Sequence, residues 1–220
     1  MITPDYDRAA TSAAEILIKY KVSKAPVDVK RIFKDSDKAF LCTFTEASNL
    51  IGIERGEFVS TFDAENRDAV SSVMVRNGKT KYIVAYNARL SDFLVQRALA
   101  RELGHIVLGH DGTKPEDVRN AEAVTFARHF LCPRALINSI QEKHSKLTVE
   151  MLGNMTGCYE RCLMGMQITP GTHVPASLNR EIKEQFKEYI DEFLDFQVFL
   201  GIEDNSMIAN MGTFMDGYED

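Results

Sequence analysis

No stretch of the chain approaches the roughly 18 consecutive apolar residues that a membrane-spanning helix needs. The opening Met1-Ile2-Thr3-Pro4-Asp5 has neither the basic patch nor the apolar run of a secretory leader. Both absences point to a soluble, cytoplasmic protein. A basic surplus is missing too: the formal net charge is -6, whereas broad binding to a phosphate backbone needs clustered Lys and Arg. Nucleic acid is therefore not an expected partner, and neither is a membrane. The four cysteines, Cys42, Cys132, Cys158 and Cys162, contain no C-x-x-C pair. That argues against a thiolate zinc knuckle and leaves reduced, mostly buried thiols as the expectation. Internal repeats and low-complexity segments are absent as well.

What is present suffices for one medium domain, or one domain with an appendage: 220 residues, 45% of them hydrophobic, can bury a core without disulfides or structural metals. From Asp7 to Tyr20 the apolar residues Ala10, Ala13, Ile16, Leu17 and Tyr20 recur at helical spacing. Asp28 can cap a short second helix carrying Val29, Ile32 and Phe33, and Ala39 to Phe44 reads as a strand. Asn77-Gly78 stands between two β-prone runs, Ser71–Arg76 and Lys79–Asn87, which predicts a hairpin because both turn positions need positive φ. Ser91 can cap a helix running to about Val107, and Pro115 and Asp117 open another that ends at Pro133. A shorter helix follows from Arg134, small helices are expected between Thr148 and Met166, and Leu178, Ile182, Phe186, Ile190 and Phe193 mark a strong amphipathic helix. The order is helices, then strands, then helices, an α+β arrangement.

The chemically informative run is Ala100-Arg101-Glu102-Leu103-Gly104-His105. A metallopeptidase helix carries H-E-x-x-H because two imidazoles four residues apart face the same side and can share one tetrahedral ion. The glutamate beside the first histidine addresses the metal-bound water as general base. Glu102 and His105 occupy their places; Arg101 stands where the first histidine belongs.

After 16 intervening residues comes Glu122-Ala123-Val124-Thr125-Phe126-Ala127-Arg128-His129-Phe130-Leu131-Cys132-Pro133. It resembles the E-A-N-x-F-A-x-x-L-L-x-P signature of the ImmA/IrrE metallo-endopeptidases, matching at Glu122, Ala123, Phe126, Ala127, Leu131 and Pro133. Val124 departs from the usual Asn, and Phe130 from Leu. The family's A-H-E-L-G-H-x-x-L-x-H helix is matched by Ala100, Glu102, Leu103, Gly104, His105, Leu108 and His110, and the strand end Ile83–Asn87 sits where the family has one. The likeness covers roughly residues 8–165 and is specific between Tyr82 and Pro133.

The resemblance implies a zincin-like fold: a small twisted antiparallel or mixed sheet packed on the motif helix, with additional helices. It implies Glu102 as catalytic base, and zinc held by His105 and Glu122. It also implies a regulatory role in transcription, often in mobile elements, with a helix-turn-helix repressor or another protein as substrate. The peptidase-type domain would occupy 1–170, an amphipathic helix 171–204 would pack on it, and 205–220 would form a flexible acidic tail.

Arg101 cannot donate a lone pair to a metal, so zinc is possible while its occupancy is in doubt. Three readings stay open. The guanidinium takes the ion's place and pairs with Glu122 or Glu102, giving a pseudo-enzyme. Alternatively His110 or Asp111 folds back as a replacement ligand and an active zinc endopeptidase survives. In the third reading Arg101 is a plain surface residue, which its shared helical face with Leu94, Ala98, Glu102 and His105 opposes. His129, two turns beyond Glu122, is expected at a helix surface or beside the pocket; His144 and His173 are expected in solvent. A non-catalytic adaptor, with the hairpin edge taking an extended peptide, is a competing function. The helix–turn–helix rhythm of residues 147–163 offers only Arg161 for base reading and is expected to be a packing element.

Overall fold

The computed structural model describes residues 2–61, 68–76, 79–143, 153 and 172–192. Helix α1 (Tyr6–Lys19) starts where the Asp5 carboxylate accepts the Arg8 backbone N–H at 3.0 Å. Its buried stripe is Ala9, Ala10, Ala13, Ala14 and Leu17, small enough to lie close against a neighbouring helix. Asp28 caps α2 (Val29–Lys34) through the Arg31 N–H, as its position predicts.

Strand β1 (Ala39–Thr43) stops one residue short of the expected end. The reason is local: Thr43 and Glu46 exchange side-chain and backbone hydrogen bonds in a capping box, so Phe44 opens α3 (Phe44–Ile51) instead. Helix α4 (Arg55–Thr61) follows. Neither α3 nor α4 is anticipated from periodicity, since each is only about two turns long.

Strands β2 (Ala69–Arg76) and β3 (Lys79–Tyr86) pair antiparallel with Ala69 opposite Tyr86 and Arg76 opposite Lys79. The residues that close this pair, Asn77 and Gly78, lie outside the described residues. β1 adds parallel to β3, giving a three-stranded mixed sheet in the order β1-β3-β2. Alternation along β3 sorts the two faces. Val84 belongs to the main core with Ala69, Leu99, Leu103, Phe126 and Phe130. Ala85 belongs to a smaller cluster with Cys42, Phe44, Ala47 and Phe58, which covers the second face with α3 and α4.

Helices α5 (Asp92–Val107) and α6 (Glu116–Leu131) pack on each other and on the main-core side of the sheet. A Cβ at Gly104 would stand 3.1 Å from Phe126 Cβ and 3.2 Å from the Ala123 carbonyl oxygen. A Cβ there would push its neighbours back by a few tenths of an ångström, so the bare backbone lets α5 sit close beside α6 at the motif. Helix α7 (Arg134–Lys143) follows Pro133, and α8 (Ala176–Gln185) packs on α1 and α7. Ile182, Phe186 and Ile190 are buried there, with helical residues continuing to 192. The expected helices at 148–166 with their helix–turn–helix rhythm, His144, and the acidic tail lie outside the described residues.

Two expectations need correction. Cys132 is disulfide-bonded, so the thiols are not all reduced. Cys42 does remain a free, buried thiol; burial, reinforced by Glu46, pushes it up to about 11. His129 is not at a helix surface: it is 7% exposed.

Candidate active site

The motif helix α5 ends in a way that organises its chemistry. Gly109 takes φ +67°, the left-handed conformation that glycine adopts without penalty. The Gly109 N–H then donates to the Ile106 carbonyl at 3.2 Å, and the His110 N–H to the His105 carbonyl at 3.0 Å. This bond pair is the Schellman termination, which brings the side chain two residues past the C-cap, Leu108, back against the one in the last turn. Here those side chains are His110 and His105, and their Nδ1 atoms lie 2.8 Å apart. The Arg8 guanidinium closes the same helix end by donating to the Leu108 carbonyl at 3.0 Å.

From His110 the contacts run into α6. His110 Nε2 lies 2.8 Å from Glu122 Oε2, with both side chains 2% exposed. Lys114 Nζ donates to both Glu122 oxygens, at 2.7 and 2.9 Å, and the Asp5 backbone N–H donates to Oε1 at 2.9 Å. Burial alone would raise the Glu122 pKa. Lys114, the Asp5 N–H and His110 together outweigh it and hold the carboxyl at about 2. An ionised carboxylate only accepts, so His110 Nε2 is assigned the proton on that side. With a neutral His110, its Nδ1 accepts from His105 Nδ1–H.

The other motif residues form a separate group. Glu102 is 5% exposed and turns toward the sheet, where the Ser71 hydroxyl donates to its Oε2 at 2.6 Å. Arg101 donates to Glu102 Oε1 at 3.4 Å, a long contact, and its own Nε is buried without a hydrogen-bond partner. The structure thus splits the single pocket expected from the sequence. Arg101 pairs with Glu102 and not with Glu122, whose hydrogen bonds go to Asp5, His110 and Lys114. Arg101 is also no plain surface residue, its side chain being 33% exposed.

His110 does return to His105, as a replacement ligand would have to, but both its ring nitrogens are taken. Asp111 is exposed and turns to Thr113, accepting from its N–H at 3.0 Å and its hydroxyl at 2.7 Å, contacts that lower its pKa. His129 sits in the buried face of α6 and takes no part in the Glu122 bonds. Burial first, then Arg134 and Arg128, pushes its imidazole down to about 4, so it is neutral. His173 is exposed as expected, while its backbone N–H donates to Asp7.

Sequence reasoning missed Lys114, Ser71 and the Asp5 N–H. Lys114 precedes Pro115 in a short polar connection, where nothing in the pattern separates it from a solvated lysine.

These donors do not fit a catalytic zinc ion as they stand. Arg101 brings a cation to the first ligand position, His110 has spent both nitrogens, and Glu122 already carries an ammonium on both oxygens. Among the described residues no group of three or more His, Cys, Asp or Glu side chains is placed to hold a metal.

The fold and the motif together define a zincin-like α+β protein with an altered H-E-x-x-H helix. Residues 56–152 match the family model Peptidase_M78, the IrrE N-terminal-like domain. That stretch, from α4 past α7, is therefore an ImmA/IrrE-family domain of zinc metallopeptidase type. No curated protein and no solved structure matches the chain. None of the helices among the described residues is long and apolar enough to cross a membrane.

Proposed function

We propose that the chain is a metallopeptidase-like regulatory protein whose zinc catalysis is impaired or lost, acting on a helix-turn-helix repressor or another regulatory protein. The observation that carries the first half is that both acids of the motif are held by the chain's own cations. Arg101 contacts Glu102, and Lys114 covers both oxygens of Glu122. A general base needs an oxygen facing the water it deprotonates, and both Glu102 oxygens accept from protein groups. The protein partner rests on the family likeness, and action within the cytoplasm fits such a role.

Metal analysis of the purified protein after dialysis against zinc tests this. Wild type is expected to keep well under one equivalent. Arg101→His supplies the second imidazole but leaves Lys114 on Glu122, so it gains zinc weakly; Arg101→His with Lys114→Met is expected to approach one equivalent. Stoichiometric, tightly held zinc in wild type overturns the proposal.

A further inference from the structure

Beside the polar groups just described, α5 and α6 enclose a cavity of about 680 Å³, within the range that holds small ligands and peptide side chains. Arg97 and Arg101 line it from α5 and Arg128 from α6, against a single acid, Asp68. That acid already pairs with Arg97 at 3.4 Å. The cavity therefore holds more guanidinium than carboxylate, and Arg101 Nε adds a buried N–H lacking an acceptor. An arriving acceptor satisfies a donor of this kind, which burial otherwise leaves uncompensated. Planar guanidinium forks match a carboxylate bidentately.

The remaining walls are apolar and their order matters. Helices α5 and α6, joined by a short connection, run antiparallel with Gly104 against Ala123 and Phe126. Along that pair, Phe93 and Leu94 lie at one end, the three arginines in the middle, and Val124 at the other. Val124 keeps this end apolar. A fatty acid carries its charge at one tip; a charge with apolar groups on both sides suits a peptide.

We propose that this cavity binds an acidic side chain flanked by apolar residues in a peptide segment of a partner protein. It rests on the proposed function only in taking the occupant to be a protein; it needs neither zinc nor cleavage.

The probe is a fluorescein-labelled peptide Leu-Phe-Glu-Leu-Phe, its Gln counterpart, and decanoate as competitor, read by anisotropy with the full chain. The Glu peptide is expected to bind at least tenfold tighter than the Gln peptide. Arg128→Ala is expected to remove that preference, Arg128→Lys to restore part of it, and Val124→Trp to weaken both peptides. Equal binding of the two peptides by wild type, which needs no variant to interpret, overturns the inference. So does an unchanged preference in Arg128→Ala, or decanoate binding more tightly than the Glu peptide, which marks a site for small carboxylates. A repressor that fails to bind while the Glu preference persists removes the proposed partner and leaves the cavity assignment standing.

Discussion

Glu102 and Glu122 are acids on two neighbouring helices, and they are held in opposite ways. Glu122 takes four hydrogen bonds of 2.7–2.9 Å, two of them from one ammonium, at 1% exposure. Glu102 accepts a short bond from Ser71 and a stretched contact from Arg101, whose Nε goes unmet. A buried charge with every lone pair engaged is part of the architecture, and breaking one partner strands the rest. A loosely paired arginine at the edge of a cavity is held for something else. Glu122 is thus held as a structural staple, while Glu102 pairs with an arginine that lines the cavity.

The largest expected effect comes from breaking the staple. Lys114→Met leaves Glu122 buried without its cation and is expected to cost about 2–3 kcal/mol, read as a lowered urea midpoint at neutral pH.

Acid should dissect the same region in two steps. His129 titrates at an ordinary 6.5 when unfolded and about 4 when folded. As pH falls through that window the unfolded chain takes a proton that the folded one refuses, and stability drops by roughly 2–3 kcal/mol. Glu122 moves from an ordinary 4.5 to about 2. Its contribution is complete above 4.5 and vanishes as pH falls toward 2, again on the order of 2–3 kcal/mol. Urea midpoints measured in EDTA across pH 2–8 should show the upper step missing in His129→Leu and the lower one in Glu122→Gln. A single step, unaltered by either variant, contradicts the assignment.

The smallest effect sharpens the contrast. Arg101→Met removes a long, partly exposed contact and is expected to change stability by about 1 kcal/mol or less. If it destabilises as much as Lys114→Met, the two halves are not different in kind.

Much of this architecture is written locally. Glu102 and His105 could be placed on one helix by spacing, Glu122 on the next by its signature, and β2 with β3 by the Asn-Gly punctuation. The capping box at Thr43 and Glu46 and the helix stop at Gly109 were also readable as local chemistry, and the second of these would have shown His110 returning to His105. What could not be read is which partner each acid takes. Ser71 reaches Glu102 across 31 positions and the Asp5 N–H reaches Glu122 across 117, separations that no helical or strand period encodes. Lys114 was hidden differently: its neighbours are those of any solvated lysine, and nothing local marks Glu122, eight residues on, as the acid it meets.

Two hydrogen bonds make the residues around Asp5 part of the interior wiring. The amide of Asp5 ends on the same carboxylate as Lys114, and the guanidinium three residues later seals the end of α5. An affinity tag, a fusion partner or a protease acting on the first five residues therefore works on a carboxylate that is 1% exposed.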